Sequence, residues 1–409
     1  MHFHFVLFLS LLILPNLSFA AGAAQGAKAN GMAAAFVAVA DDASAIAYNP
    51  AGITQLSGSH LYAGVIGIAP RTKYTSPAGV SQNMKSQFFA APYLYYTSDT
   101  PIDNLYFGVG ISSPFGIGGT KWSTAGMTRY ISTESLTDTL TINPTIAYKL
   151  TDSLSIAGGF SYLFSQLKSS NNTDQSMLGA ADGAMSLKGD GDGFGYNLGL
   201  LYQINSQLKI GIAYRSQTTV NFTGDLNLVN IAPAAQPLFG GSTYTTGFNT
   251  STVFPSVFNL GLAYTAEQGT VFTIEVQRDG WSSLQQNVLT LQQPVAAAGL
   301  VSTTTPLDWK DAWSYKIAMD YRLTEKSSFR LGYAYTGASV PDHTLSPSSP
   351  IANSHLVGIG YGYQIGDFTI DLFYFDVLME KRTTNNSILK GSYKSHIHHA
   401  GIGVGYQFN

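Results

Sequence analysis

The sequence predicts an all-β fold: a 14-stranded antiparallel transmembrane β-barrel with a small, partly helical N-terminal hatch plugging its lumen. Three observations predict it. Apolar and polar residues alternate with a period of two over most of the chain, which places them on opposite faces of strands. Many of the apolar faces carry aromatic residues at both ends, like the girdles of membrane barrels. The connections between strands are alternately short and long, as at the two ends of such barrels.

The composition narrows the class of protein. The chain of 409 residues contains no cysteine, which excludes disulfides and thiolate metal sites. Charged residues make up 11% of it, against roughly 25% in soluble domains. The net charge of −3 provides no basic surface, so we expect no nucleic-acid partner. The longest apolar run after the N-terminus, Met32–Ala40, is too short for a membrane helix of roughly 20 residues. A membrane-embedded chain must then be a closed barrel.

The N-terminus has the form of a signal peptide. Phe3–Leu14 is an apolar run of suitable length, and Ser18 and Ala20 place small residues at positions −3 and −1. We therefore predict cleavage after Ala20; the alternative is a membrane anchor, which the shortness of the run disfavours. The predicted domains are a signal peptide at 1–20, a hatch at 21–58 that does not alternate, and a barrel at 59–409.

The segment that begins near Trp313 shows the alternation best. Apolar and aromatic residues occupy every second position from Trp313 to Leu323, and charged or small residues stand between them. A soluble sandwich also alternates, but roughly ten residues with aromatics at both ends match a lipid-spanning strand. Segments of this kind predict fourteen strands, at 59–70, 87–98, 103–112, 138–150, 153–166, 192–205, 207–222, 254–266, 269–278, 309–323, 326–336, 354–365, 367–378 and 395–408.

The connections support this number of strands. Short turns such as Thr151-Asp152 and Asn205-Ser206 alternate strictly with long connections. The long ones are 71–86, 113–137, 167–191, 223–253, 279–308, 337–353 and 379–394. In outer-membrane barrels the short turns face the periplasm, and an even number of strands returns both termini to that side. We therefore expect the hatch to enter the lumen from the periplasmic end.

Short motifs follow one another in a characteristic order. They are Asp41-Asp42-Ala43-Ser44, Asn49-Pro50-Ala51-Gly52, Ser113-Pro114-Phe115-Gly116, Asn143-Pro144, Gly191-Asp192-Gly193-Phe194-Gly195, Tyr214-Arg215-Ser216, Asp308-Trp309-Lys310-Asp311 and Arg330-Leu331-Gly332-Tyr333. Through the order and spacing of these motifs, the chain resembles the FadL family of outer-membrane transporters for long-chain fatty acids and other hydrophobic compounds. The resemblance covers essentially the whole mature sequence.

The resemblance implies a mechanism. A hydrophobic ligand would be captured between extracellular loops and move into a lumenal pocket. A rearrangement of the hatch would then let it leave sideways, through a gap that an inward kink in the third strand makes in the wall. It also implies a monomer in the outer membrane of a Gram-negative bacterium, in contact with membrane lipid and lipopolysaccharide. The expected partner is a hydrophobic small molecule such as a long-chain fatty acid, and no cofactor is expected.

Two sets of residues are candidates for the gate in the hatch and for the lateral opening in the wall. Asn49, Pro50, Ala51 and Gly52 should end a short helix, because the residue before proline avoids the α region and Gly52 permits a positive φ. They form either the gate or a simple loop. In the third strand the candidates are Gly110, Ser112, Ser113 and Pro114. Proline cannot donate to a strand ladder, so the strand either kinks there or simply ends at Ser112.

The candidate ligand residues are cations for a carboxylate and apolar groups for its chain. The cations on predicted lumenal faces are Arg215, Lys316, Arg322 and Arg330, and the apolar groups in a long connection are Phe115 and Trp122. Alternatively, the charges pair across the lumen or hold the hatch, and the apolar groups pack loops together.

The sequence leaves other functions open beside fatty-acid transport. Aromatic hydrocarbons would suit an apolar tunnel as well as fatty acids. A general porin would need an open lumen, which the apolar N-terminal stretch disfavours. An outer-membrane esterase would need a nucleophile with its base, but the chain has no G-x-S-x-G, and we expect no enzyme. A metal site at His396, His398 and His399 is conceivable, yet their spacing implies no further ligand, so rim histidines are the favoured interpretation and no metal is expected.

Overall fold

The computed structural model describes residues 25–295, 300–386 and 389–408. The predicted signal peptide and the first residues of the predicted hatch, 21–24, lie outside the described residues. Within these ranges no helix is long and apolar enough to span a bilayer.

Strands dominate the described chain. They are β1 (Ser59–Thr75), β2 (Ser81–Asn83), β3 (Phe89–Asp99), β4 (Leu105–Ser112), β5 (Ile117–Lys121), β6 (Glu134–Lys149), β7 (Leu154–Thr173), β8 (Gly183–Gln203), β9 (Leu208–Arg215), β10 (Thr218–Val229), β11 (Thr243–Phe254), β12 (Val257–Thr265), β13 (Val271–Asp279), β14 (Gln286–Val295), β15 (Leu300–Pro306), β16 (Ala312–Arg322), β17 (Ser327–Thr336), β18 (Ser354–Ile365), β19 (Phe368–Met379), β20 (Arg382–Thr384) and β21 (Gly391–Phe408). The helices are short: α1 (Ala27–Gly31), α2 (Ala45–Tyr48) and α3 (Gln236–Phe239), with 3₁₀ turns at Pro50–Gln55, Ser176–Leu178 and Trp281–Ser283.

Fourteen of these strands form a closed antiparallel ring. Its order is β1, β3, β4, β6, β7, β8, β9, β12, β13, β16, β17, β18, β19, β21, and β21 pairs back with β1 from Ser59↔Phe408 to Thr75↔Ser392. Closure of the ring pairs every wall strand with a neighbour on each side. The prediction of a 14-stranded barrel is confirmed.

The other seven strands extend the wall at the end opposite the short turns. There the prediction of one strand at 207–222 is wrong. β9 ends at Arg215 and pairs with β12, whereas β10 begins at Thr218 and pairs with β8 and β11. The chain changes partners at 216–217 without breaking its alternation, so its pattern could not show the break. The long connections 223–253 and 279–308 contain β10, β11, β14 and β15, rather than loops alone.

The alternation assigns one face of each strand to lipid. On β16, Tyr315 and Ile317 are 55% and 57% exposed, whereas Lys316 and Ala318 are buried. Large apolar side chains are exposed in the same way around the whole ring. The apolar surface is therefore on the outside and polar groups are inside, the reverse of a soluble protein and the arrangement of a membrane barrel.

Residues 25–58, called here the N-terminal segment, lie inside this ring. Three buried apolar clusters fill the interior of the described chain, and one of them is formed mainly by the segment itself, around Met32 and Phe36. An inner cluster joins the segment's Ala33, Ile46 and Ile53 to Tyr93 and Phe373 of the wall. An outer cluster at the loop end contains Trp122, Phe222, Phe248, Phe254 and Trp309.

We expect Ile317→Lys to destabilise the barrel by about 2–4 kcal/mol, because a lysine at the middle of the lipid-facing band would be buried in hydrocarbon. Urea unfolding in liposomes measures this loss. The control is Val80→Lys at an exposed turn, where the free energy of unfolding should stay the same. Equal effects of the two substitutions would contradict the assignment of the band.

Candidate functional site: a filled lumen beside an interrupted wall

The N-terminal segment is held in the lumen by a carboxylate. Glu275 Oε2, on β13, accepts hydrogen bonds from the backbone N–H groups of Phe36 and Val37, both at 2.9 Å. Lys316 Nζ, on β16, lies 2.8 Å from Glu275 Oε1 and donates to the carbonyl of Ala34 at 3.0 Å. Both charged side chains are buried. A buried pair of this kind is stable because each charge is neutralised and hydrogen-bonded.

A second ionic network lies where the segment meets β16, β17 and β19. Arg330 contacts Asp320 at 3.1 Å and Asp371 at 2.5 Å. Lys28 of the segment lies 2.7 Å from Asp41 and 3.8 Å from Asp320. Asp320 of the wall thus lies between Arg330 of the wall and Lys28 of the segment, which ties the segment to the wall electrostatically.

Wall glycines let the segment approach closely. A Cβ atom built on Gly211 of β9 would clash with the carbonyl of Val37, and one on Gly332 of β17 would clash with the backbone of Met32. These glycines stand on the inner face, so backbone packs on backbone. Any side chain there would push the segment away from the wall.

The predicted gate residues form a tightly bonded break. α2 ends at Tyr48, Asn49 is extended (φ −148°, ψ 99°), and a 3₁₀ turn starts at Pro50, which confirms that the helix stops before the proline. Asn49 Nδ2 donates to the carbonyls of Val37 at 2.8 Å and Leu200 at 3.0 Å, and Asn49 Oδ1 accepts from Ala51 N at 3.2 Å. Asn49 therefore joins the two halves of the segment to β8.

Gly52 does not use the positive φ that a glycine permits. Gly52 is absent from the described residues with positive φ, and it lies within the 3₁₀ turn. A Cβ atom there would clash with the carbonyl of Ala40. Glycine is needed for close packing within the segment rather than for an unusual backbone angle.

The third wall strand is interrupted where Pro114 stands. β4 pairs with β6 up to Ser112↔Thr141, and β5 resumes the same ladder at Ile117↔Asp138. Four residues, 113–116, therefore oppose two on β6. Ser112 ends one strand, but the chain continues along the wall rather than leaving into a loop. The arrangement is an enlarged bulge, which bends the strand that contains it.

On the other side of this bulge the wall ladder is incomplete. β3 pairs with β4 only from Leu94↔Ile111 to Asp99↔Tyr106. Residues 89–93 of β3 pair with β1, but among the described residues they have no ladder partner on the β5 side. Backbone bonding to this side resumes where Lys85 N donates to Lys121 O at 2.8 Å. We call the interval between these limits the wall opening.

The segment lies against the wall just below this opening. A Cβ atom on Gly108 would lie 2.8 Å from Ile46 Cδ1, and one on Gly110 would lie 3.1 Å from Ile46 Cγ2. The ring of Phe89 lies against Gly118 inside the opening. The predicted Gly110 thus makes room for a side chain of the segment, and α2 is in direct contact with the interrupted strand.

The predicted ligand cations are separated into different roles. Lys316 and Arg330 form the ion pairs described above, which was the alternative interpretation. Arg322 is exposed near the short turns. Arg215 is half-buried, donates to the carbonyl of Ala47 at 2.7 Å, and makes no ion pair with any described carboxylate. It lines a cavity of about 30 Å³ beside Tyr48 and Pro50. The role of these four cations in ligand binding stays a prediction.

The predicted apolar ligand residues belong to the outer cluster. The rings of Phe115 and Phe254 lie 4.7 Å apart, and the fully buried Trp122 donates to the carbonyl of Pro347 at 3.0 Å. Sequence reasoning missed a second cavity of about 60 Å³. It is lined by Trp281, Leu356, Val377, Met379 and Ile397, together with Asp279 and His399. These residues come from strands far apart in the chain, so no local signal could group them.

Comparisons with known proteins agree with this architecture. Residues 15–409 match the model of the family of outer membrane transport proteins OMPP1/FadL/TodX. The long-chain fatty acid transport protein of Escherichia coli O6:H1 is 25% identical over 375 residues, which cover 82% of this chain and 81% of that protein. The chain therefore belongs to the OMPP1/FadL/TodX family, and it is an outer-membrane protein of the β-barrel type.

Two solved structures share the fold. A FadL homologue of Pseudomonas aeruginosa superposes with a TM-score of 0.83 at 17% identity, over 94% of this chain and 99% of that one. The toluene transporter TodX of P. putida superposes with a TM-score of 0.76 at 15% identity, over 94% of this chain and 98% of that one. At these identities the likeness concerns the fold.

We expect Glu275→Gln to release the segment, because Lys316 would become a buried cation without a counter-charge, a loss of about 3–5 kcal/mol. Limited proteolysis should then cut within residues 25–58, while the heat-modifiable gel mobility of the barrel stays normal. Glu267→Gln at an exposed turn is the matched control. A protected segment in Glu275→Gln would contradict the anchoring role.

A pH dependence follows from Asp42 in the segment. Its Oδ1 accepts hydrogen bonds from Ser44 N at 2.8 Å and Ser44 Oγ at 2.5 Å, and Ser44 is the residue that precedes α2. Burial raises the pKa of the Asp42 carboxyl to about 6. A raised carboxyl pKa means that the docked segment favours the neutral acid.

We therefore expect docking of the segment to weaken as the pH rises from about 4 to about 6. Asp42→Asn should abolish this dependence and leave the segment better protected at pH 7.5. Hydrogen exchange of residues 26–52, corrected for the intrinsic effect of pH, measures both. The same pH profile in Asp42→Asn would assign the effect to another group.

Proposed function

We propose that this chain is a passive uptake route for hydrophobic compounds, of which long-chain fatty acids are the main class. The observation that carries the proposal is the wall opening beside β3. A lumen filled by a packed segment does not suit a steady stream of water and ions. An interruption in the wall suits a ligand that passes directly from the lumen into lipid.

The path follows from the order of the parts. The outer cluster, with Phe115 and Trp122, supplies apolar surface at the loop end, where a ligand would be captured. The cavity of about 60 Å³ beside Trp281 and Leu356 would widen to become a ligand site within the lumen, because ligand pockets measure roughly 300 Å³ or more. Movement of the hatch at Asn49-Pro50-Ala51-Gly52 would then free the region behind Gly110, and the ligand would leave between residues 89–93 and 113–116.

Arg215 is the residue that favours a ligand with a carboxylate at one end. Its guanidinium is bound to a carbonyl and pairs with no described carboxylate, so it can still bind an anion. A fatty acid would satisfy it, and the E. coli relative is a long-chain fatty acid transport protein. The second candidate is an aromatic hydrocarbon, because a solved structure with this fold is a toluene transporter. An apolar path needs no catalytic group, so we propose no enzymatic activity.

The assembly is proposed to be a monomer. One chain closes its own ring, so no second copy is needed to complete the lumen. We assign residues 21–58 to the hatch and residues 59–409 to the barrel, with outer-membrane lipid and lipopolysaccharide around the exposed apolar band.

A disulfide tests whether the hatch moves. The chain has no cysteine, so Ile46→Cys with Gly110→Cys introduces a single pair at contact distance. In a strain that lacks its own transporter, oxidation should reduce uptake of radiolabelled oleate about tenfold, and reduction should restore it. The controls are the same double variant kept reduced and the Ile46→Cys single variant. Full uptake by the cross-linked protein would contradict the proposed movement of the hatch.

Deleting Pro114 and Phe115 tests the lateral exit. Ser113 and Gly116 would then oppose the two residues of β6 one to one and close the bulge. We expect a folded barrel with strongly reduced uptake.

Comparing the uptake of oleate with that of toluene distinguishes the two substrate classes. A large, steady ion conductance in planar bilayers would favour a porin instead, and hydrolysis of a chromogenic ester would favour an esterase.

A further inference from the structure

Three polar side chains meet on the outer surface of the barrel near the loop end. His396 and His398 stand on β21, and Asp376 stands on β19. In β21 the neighbouring residues of the other parity point inward: Ile397, between the two histidines, is 1% exposed and His399, after them, is 4% exposed. The strand register pairs Asp376 with His398 and Leu378 with His396, so all three polar groups share the lipid-facing side. Strand pairing thus supplies the carboxylate that the spacing of the histidines could not predict.

Their geometry is that of a ligand set. His396 Nε2 lies 2.6 Å from Asp376 Oδ1, and His398 Nδ1 lies 3.3 Å from the same oxygen. One donor atom from each of the three residues lies within 4.8 Å of the other two. A tetrahedral ion with bonds of roughly 2.0–2.2 Å separates its ligand atoms by about 3.3–3.6 Å. Small rotations of the side chains would therefore admit an ion.

The position of Asp376 requires a cation. Tyr374 and Ala400 form the next outward-facing pair towards the short-turn end of the barrel, and both face lipid. Leu378, two residues further towards the loop end, also faces lipid. A carboxylate in such surroundings is costly unless it is neutralised. No described lysine or arginine lies within ion-pair distance of Asp376, and Arg71 stands across from His396 on β1 instead.

We propose that Asp376, His396 and His398 bind a divalent transition-metal ion, such as Zn²⁺, on the outer face of the barrel. Two imidazoles and one carboxylate suit zinc or its neighbours better than magnesium or calcium, which prefer oxygen ligands. Tyr374 Oη lies 2.6 Å from His398 Nδ1, and the bond to the ion would replace this hydrogen bond. The fourth position is open to water. The ion would link β19 to β21 and neutralise the carboxylate.

The test is a titration of the full, tag-free chain in detergent with Co²⁺, which reports tetrahedral binding by its visible absorption. We expect one ion per chain, displaced by Zn²⁺. Asp376→Asn and the double variant His396→Gln/His398→Gln should each bind Co²⁺ at least about tenfold more weakly. The matched control is His355→Gln, another outer-face histidine, 3.6 Å from Glu380, which should bind as the unaltered chain does.

Thermal unfolding gives a second readout. Zn²⁺ should raise the midpoint of the unaltered chain and of His355→Gln, but not that of Asp376→Asn, because an ion bound only to the folded state stabilises it. Co²⁺ affinity that is equal in the chain and in Asp376→Asn would overturn the proposal and leave an Asp–His ion pair. Binding that needs added lipopolysaccharide and is unchanged in Asp376→Asn would also overturn it, and would assign the ion to lipid phosphate.

Discussion

The carboxylate of Glu275 is the group on which the interior of this barrel depends. It holds two backbone N–H groups of the N-terminal segment and the ammonium of Lys316 at once. In a buried environment these groups would each be costly without a partner. One carboxylate thus converts an empty polar lumen into a filled one, and the wall glycines at 211 and 332 let the segment come close enough to use it.

The filled lumen and the interrupted wall are two parts of one arrangement. Ile46 of the segment occupies the space that Gly108 and Gly110 leave on β4, and β4 ends two residues further on. A displacement of α2 would therefore be felt first at the strand that lacks a complete ladder. Asn49 fastens the same region to β8, so the gate and its attachment lie within a few residues of each other.

The candidate site was only partly predictable. Pro114 marked the interruption, because a residue that cannot donate to a ladder limits where a strand can pair; the return of the chain to the same ladder at Ile117 had no local signal. Likewise Arg215, Lys316 and Arg330 look alike along the sequence, as cations on inner faces. Their difference depends on carboxylates of other strands: Glu275 for Lys316, and Asp320 with Asp371 for Arg330.

The amino-acid pattern alone settled which face of each strand meets lipid, the number of wall strands and the place where α2 stops. Those features are local, since side chains alternate with a period of two and proline constrains its immediate neighbour. Tertiary structure decided the rest: the change of partner between β9 and β10, the wall opening, and the meeting of Asp376 with His396 and His398. These depend on register between strands that are distant in the chain, which no single strand encodes.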